Sequence, residues 1–408
     1  MEQLRPLEGI SVLDLTHVLA GPYCTLILGD MGAEVIKIER LGEGDQTRTI
    51  PPFVNGVSHY FLAINRNKKS VTIDLKSEAG LDLVRRLIAT CDILVENFRP
   101  GVLDSLGLGP ATLQSQHPEL VICSISGYGQ TGAFRTRPSF DLVTQAISGI
   151  MSINGEPDGP PVKLGIPMGD LAGGLWGAIA VLAGLQHRNA TGRGVHIDLS
   201  LVDGLMALLG YLGEIYLVTG ESPGRVGNSH HSVVPYGRFA AKDGHIVIAL
   251  HVGSFWRKFC AAIDRPDLLE DPRFRTTADR QQNRDALDAI VSELLLARTM
   301  HEWHEILDAA DVPNGPILSV GEALEQPHAQ ARELLATMHH PVAGDVPVVR
   351  SALRFDGTLA AVEPAPLLGE HTRLVLEQRL GLTGDEVDRL VAANVVSEAV
   401  PNTTSTTR

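Results

Sequence analysis

Cysteine is scarce in this chain. The four cysteines, Cys24, Cys91, Cys123 and Cys260, lie far apart and form no C-x-x-C pair. That argues against a disulfide framework or a zinc ribbon and for reduced thiols. Positive charge is also in deficit: 34 Lys and Arg stand against 48 Asp and Glu, a formal net charge of -14. Neither nucleic acid nor an anionic membrane is therefore expected as the main partner. The first residues, Met-Glu-Gln-Leu-Arg-Pro, lack the apolar core of a signal peptide. The longest apolar run, 171–185, is broken by glycines and reads as too short to cross a bilayer. A cytoplasmic location is the resulting expectation. Familiar motifs are missing as well. No G-x-G-x-x-G follows the first strand-like segment, and neither G-x-x-x-x-G-K-[ST] nor G-x-S-x-G occurs, which weakens dehydrogenase, P-loop and serine-hydrolase readings.

What is present is an ordinary globular composition, 44% hydrophobic and 20% charged, over a length suited to two or three domains. Segments 11–15 (SVLDL) and 34–39 (EVIKIE) read as strands around an apolar helix at 23–31, a β-α-β unit that implies a parallel sheet. Strands at 70–75, 93–96 and 120–125 and an amphipathic helix at 79–90 continue the theme, so the first half is predicted to be doubly wound α/β. A long buried helix is expected over 170–188, a strand over 195–199 and one continuous apolar helix over 202–217. The glycine-rich stretch 220–232 marks a boundary. Beyond it, Lys242-Asp243-Gly244 between two strand patterns signals a hairpin, followed by helices near 254–263, 282–298 and 300–310. These features divide the chain into 1–224, the first part of a large α/β domain, and 225–325, a smaller α+β domain. Residues 326–400 form a return segment and 401–408 a flexible polar tail.

Three local features are candidates for chemistry. Arg66-Asn67-Lys68-Lys69, with Lys37, Arg40 and Lys76, reads either as a phosphate-binding cluster or as a solvated turn. Asn97-Phe98-Arg99 directly follows a strand, and open α/β sheets bind ligands at the carboxyl ends of their strands. Phe98 offers a flat face to a purine and Arg99 a phosphate contact, against the plain alternative of a turn. Asp170, ahead of the small-residue run Leu171-Ala172-Gly173-Gly174, looks locally like a helix N-cap. The histidines of 301–305 (HEWHE), His230-His231 and His339-His340 lack metal-ligand spacing, so no metal is expected.

Taken in order, GISVLDLTHVLAGP (9–22), LGDMGAEVIKIER (28–40), GDQTR (44–48), NRNKKS (65–70), VENFRPG (95–101), SGYGQTG (126–132), MGDLAGG (168–174), TGRGVHIDLSLVD (191–203) and GEHT (369–372) together resemble a family III CoA-transferase of the CaiB/BaiF type. That group contains formyl-CoA transferases and succinyl-CoA-dependent dicarboxylate CoA-transferases. The resemblance implies a Rossmann-like large domain built from the N-terminal half and the C-terminal segment, a smaller inserted domain, and an interlocked homodimer. It implies Asp170 as the nucleophile. CoA contacts carry over to His17, Leu19, Ala20, Arg40, Ile73, Asp74, Leu75, Lys76, Asn97, Phe98, Arg99 and Arg137, with acyl-CoA as substrate and no permanently bound cofactor. Substrate contacts fall on Arg48, Tyr60, Gly227, His230 and His231, with the glycine loop 227–230 as an oxyanion site.

The implied chemistry is coherent. A carboxylate is a weak nucleophile, but a thiol with a pKa of about 8.5 leaves readily. Asp170 attacks the thioester to form a mixed anhydride, and the thiolate converts that anhydride to an aspartyl-CoA thioester. The acceptor carboxylate then repeats the exchange. Related members are 2-methylacyl-CoA racemases, in which the segment matching Ser139-Phe140-Asp141 reads Gly-His-Asp. Phe140 cannot carry a proton, and two-base racemisation needs an ionisable group on each face of the α-carbon. Transferase is favoured over racemase or epimerase on that ground. A non-catalytic CoA-binding protein is the third reading, disfavoured by Asp170 standing in its full setting. Leu19 and Ser105 replace the Gln and Arg of formyl-CoA transferases, which counts against formate or oxalate. Succinyl-CoA and a C4–C6 dicarboxylate such as itaconate, mesaconate, citramalate or hydroxymethylglutarate are expected, with Arg48, His230 or His231 on the distal carboxylate.

Overall fold

The computed structural model describes residues 4–399, so the tail expected at 401–408 lies outside the described residues. Six apolar segments form one parallel sheet: β1 (Ser11–Leu15), β2 (Glu34–Glu39), β3 (Lys68–Ile73), β4 (Ile93–Glu96), β5 (Val121–Ser126) and β6 (His196–Ser200). Their order is β3-β2-β1-β4-β5-β6, and β7 (Val396–Ser397) adds an antiparallel edge beside β3. β1, β4 and β5 are buried along their whole length, as a parallel sheet covered on both faces requires. The strand expected at 70–75 lies two residues earlier, because Asp74 already begins a turn closed by the Ser77 N–H on its carbonyl (3.2 Å).

Helices to be used below are α1 (Ala20–Asp30), α2 (His59–Ile64), α3 (Glu78–Ile88), α4 (Asp141–Ile147), α5 (Met168–Thr191) and α6 (Leu201–Ala207). One face of the sheet packs on α3 through Leu83, Val84 and Leu87, together with Val375 and Leu376 from the C-terminal part. The other packs on α1 and α5 through Cys24, Leu28, Ala178 and Val181. Ser77 caps α3, its hydroxyl accepting from the Gly80 N–H (3.0 Å).

The glycines of α5 let it lie close on α1. A Cβ on Gly174 would stand 2.9 Å from the Ala20 carbonyl oxygen and 3.1 Å from the Cys24 nitrogen, so no side chain fits without moving backbone. Gly174→Val is expected to cost about 1–3 kcal/mol, read as a lower denaturation midpoint with an unchanged m-value. An unchanged midpoint would mean the helices are not in this register. α5 also corrects the length argued from sequence. It is one uninterrupted helix of 24 residues, long and apolar enough to cross a membrane, with half of its most apolar window buried inside the chain. The single helix expected over 202–217 is instead two, bent by 78° between Ala207 and Tyr211; Gly210 there takes φ +52°.

The chain divides into two compact units. One contains the sheet and is built from residues up to Ile150, Lys163–Leu217 and the segment from Gln330 onward; the other is Met151–Val162 with Val218–Ala329. Residues 151–162, assigned to the large domain from sequence, thus group with the smaller unit. Gly227 donates to the Gly155 carbonyl (3.0 Å), and the Arg225 guanidinium holds the carbonyls of Glu156 (3.2 Å) and Gly159 (2.7 Å). That unit has a three-stranded antiparallel sheet, Tyr236–Ala240, His245–Ala249 and Asn314–Pro316, around a core that includes Trp256, Phe259, Leu287 and Trp303.

Candidate active site

In the sheet-bearing unit the strand order reverses between β1 and β4, the place where such sheets bind ligands. The residues that follow β1, β2, β3 and β4 leave the sheet at one edge. His17–Ala20, Arg40, Asp74–Lys76 and Asn97–Arg99 are these residues, so topology alone gathers most of the expected CoA contacts. Asn97 joins the two loops at the reversal. Its Oδ1 accepts from the His17 N–H (2.9 Å) and its Nδ2 donates to the His17 carbonyl (2.8 Å). The Phe98 ring lies 5.7 Å from the His17 ring. Arg40, Lys76, Arg99 and Arg137 are exposed, and Arg137 sits 3.8 Å over the Phe134 ring. Leu19, Ala20 and Ile73 are buried. Leu75 and Asp74 are half-buried.

Glu96, at the end of β4, is a group that motif reading passed over. Burial pushes its carboxyl up to about 7, against hydrogen bonds from Ser124 and from the Phe98 N–H (2.8 Å). His17 is held below its ordinary value, chiefly by burial, and is a neutral imidazole at pH 7.

Asp170 is the third residue of α5 and is not its cap. Pro167 stands at the N-cap without a side-chain bond. Asp141, at the start of α4, takes over that duty from outside the helix: its Oδ1 accepts from the Gly169 N–H (2.7 Å) and its Oδ2 from Gln145 (2.7 Å). Gly169 permits this approach, since a Cβ there would lie 2.4 Å from the Thr144 hydroxyl. Burial first, and the Asp141 charge second, push the Asp170 carboxyl up to about 7. Tyr60, on α2, is driven up to about 12 by burial and by Asp170, Asp45 and Asp141, so it remains a phenol able to donate beside the carboxylate. Asp141 entered the sequence argument only as the neighbour of Phe140; nothing local marks an acid that serves a helix 28 residues on.

Several expected contacts are engaged elsewhere. The basic run 66–69, whose two lysines open β3, is neither a phosphate cluster nor a solvated turn. Arg66 pairs with Asp30 (2.5 Å), Lys68 with Asp14 (3.2 Å) and Lys69 with Glu34 (2.5 Å), the first two pairs buried. Lys37 is likewise buried and bound to Asp45 (2.9 Å). Arg48, expected on a distal carboxylate, is a bidentate partner of buried Glu39 (2.8 and 2.7 Å), stacks 3.6 Å over Phe61 and donates to the Pro366 carbonyl (3.2 Å). A guanidinium so committed has lost the free fork that carboxylate capture needs.

Gly227, His230 and His231 belong to the other unit. The His230 Nδ1 accepts from the Ser232 N–H (3.1 Å), and its ring lies 5.1 Å from that of Tyr236. Burial, then His231, His251 and Arg284, hold His230 below its ordinary value. It therefore presents a neutral N–H, not the charged partner expected from sequence. The His231 carbonyl accepts from Gln281 (3.3 Å). Among the described residues no group of three His, Cys, Asp or Glu side chains is placed to hold a metal ion.

Comparison with known proteins agrees with this geometry. The model for CoA-transferase family III matches residues 7–372. A mouse protein named succinyl-CoA:glutarate CoA-transferase is 39% identical over 97% of this chain and 92% of its own. An Acetobacter aceti acetyl-CoA:oxalate CoA-transferase is 41% identical over 81% of this chain and 85% of its own. The crystal structure of a CAIB/BAIF family protein from Brucella suis superimposes with a TM-score of 0.83 at 36% identity, covering 92% of this chain and all of that one. With an acid at the head of α5 and an open edge at the sheet reversal, this chain belongs to CoA-transferase family III and is a CoA-transferase.

Proposed function

We propose that the enzyme moves CoA from succinyl-CoA to a C4–C6 dicarboxylate through an anhydride and then a thioester on Asp170. The observation that carries this is the state of Asp170 itself, a half-buried carboxyl in the first turn of α5 held near neutral pH first by burial and then by the Asp141 charge. Such a group is ionised for a useful fraction of the time at pH 7 and is more basic than an ordinary carboxylate, which favours attack on a thioester. The acyl-CoA lies along the edge formed by His17–Ala20, Asp74–Lys76 and Asn97–Arg99, with Arg40, Arg99 and Arg137 available to its phosphates. Glutarate in one relative's name supports a C4–C6 dicarboxylate as the acceptor class.

Two further features fit. Phe140 is 72% exposed at the start of α4, so the position that would supply a second proton-transfer base holds a hydrocarbon. Leu175 and Ile179 on α5, with Leu142, Tyr216 and Leu217, are exposed apolar side chains, a surface suited to the partner subunit of a homodimer. The four free thiols fit a reducing cytoplasmic compartment.

The test is a succinyl-CoA assay against a panel of acids that includes glutarate, itaconate, mesaconate, citramalate, hydroxymethylglutarate, oxalate and formate. Dicarboxylates of four to six carbons are expected to lead by at least about tenfold in kcat/KM; a preference for formate or oxalate would overturn the acceptor assignment. In Asp141→Asn the neighbouring negative charge is gone and an amide oxygen still faces Gly169. The rise of kcat/KM with pH is expected to move to lower pH, because Asp170 then ionises more easily. An unmoved profile would separate Asp141 from the nucleophile.

A further inference from the structure

Between β1 and α1 the backbone passes through Thr16, His17 and Val18, and side chains hold five of its polar groups. The Thr16 N–H donates to Asp14 Oδ1 (2.8 Å), and the Thr16 carbonyl accepts from Lys37 Nζ (2.7 Å). Asn97 takes the His17 N–H and carbonyl. The Val18 N–H points at Asp45 Oδ1 (3.4 Å). Val18 has φ +67°, the left-handed region that a β-branched residue rarely adopts, so the turn needs these anchors to hold its shape. Lys37 and Asp45 are the unusual ones. Both side chains are 1% exposed and 2.9 Å apart. Burial works against the Lys37 ammonium, but Asp14, Asp45 and Glu39 keep its pKa above the ordinary lysine value. A buried ion pair is a poor source of net stability, and fixing one geometry is its better-attested use.

We propose that the buried Lys37–Asp45 pair is a positioning device for the acyl-CoA site, fixing the Thr16–Val18 turn so that Leu19 and Ala20 are presented beside the helix that bears Asp170. Ala20 is where the turn meets that helix, its carbonyl oxygen being the atom a Gly174 side chain would strike. The inference rests on reading 17–20 as part of the acyl-CoA site. Lys37 and Asp45 touch no substrate, and they act through the backbone they hold. The EVIKIE and GDQTR segments thereby gain a physical reason to accompany the catalytic ones.

The test uses the full-length enzyme with Lys37→Met, Asp45→Asn and both together. Lys37→Met strands a buried carboxylate and lowers the thermal midpoint, whereas the double variant removes both charges and recovers much of it. In the double variant, at a temperature where it is fully folded, kcat/KM for the acyl-CoA donor stays down about tenfold or more. The amides of 16–20 also exchange faster than in the wild type. Val84→Ala, in the α3 core, is the control that lowers the midpoint without lowering kcat/KM. Recovery of kcat/KM and amide protection together with the midpoint would overturn the proposal. If Lys37→Met does not fold, Asp45→Asn alone reads the same two quantities. A wild-type chain that transfers no CoA defeats the CoA-site reading separately, and amide exchange still decides whether the pair holds the turn.

Discussion

Asp170→Ala is expected to lower kcat for CoA transfer by about 10⁴-fold or more while acyl-CoA binding persists. In the proposed cycle the Asp170 carboxyl takes part in every exchange, and no other described acid sits in the first turn of α5. Asp141 does not substitute for it, because both of its oxygens are already occupied, by the Gly169 N–H and by Gln145. Isothermal titration with a non-transferable acyl-CoA analogue separates the two effects: affinity retained, turnover lost. A variant that keeps a tenth of the wild-type kcat would contradict the assignment.

The same residue leaves a mark on stability. An Asp ionises near 3.8 in the unfolded chain, and Asp170 does so at about 7 in the folded one. Below pH 3.8 both states hold the proton and Asp170 makes no difference. Between the two values unfolding releases a proton, so stability falls as pH rises, and the loss is complete above about 7. Asp170→Asn lacks this loss. Its thermal midpoint should exceed the wild type's by an amount that grows from pH 4 to pH 7 and then levels, a pattern that a mere packing change would not give.

Lys68→Met is the second large effect, about 3–5 kcal/mol of stability. Lys68 is fully buried and donates to Asp14 Oδ2 (3.2 Å), the Pro22 carbonyl (2.9 Å) and Asn65 Oδ1 (3.0 Å). Burial pushes the Asp14 carboxyl up, but Lys68, Lys37 and the hydroxyls of Thr16 and Thr25 together bring it down to about 2. Methionine fills similar space and leaves Asp14 with one cation fewer. Denaturant unfolding measures the loss, and Lys68→Met with Asp14→Asn should regain part of it. A loss below about 1 kcal/mol would place Lys68 among ordinary surface pairs.

The strands of the sheet were legible because a parallel strand buried on both faces reads as an unbroken apolar run, as SVLDL and VICSIS do. α3 was legible because its apolar positions recur at helical spacing behind a serine cap. The edge of the sheet where the expected CoA contacts gather followed from the β-α-β order alone. The basic run 66–69 was misread for a physical reason: cations ahead of a strand look alike whether their partners are water or remote acids, and Asp14, Asp30 and Glu34 are brought to them only by the fold. Arg48 failed in the same way, since Glu39 lies nine positions away with no helical phase between them. The membership of 151–162 in the smaller unit depends on Arg225 reaching carbonyls more than sixty residues earlier, which no local pattern encodes. Asp170 itself looked like a cap because an acid near a helix start usually is one, and only Asp141 in that role frees it.

The central claim is covalent, and one measurement meets it directly. The enzyme is incubated with succinyl-CoA, quenched with hydroxylamine, digested and mapped by mass spectrometry. The account predicts a hydroxamate on Asp170, in amounts that fall when a good acceptor acid is present and absent from Asp170→Ala. An active enzyme that carries no modification at Asp170, or carries it on another residue, would contradict it.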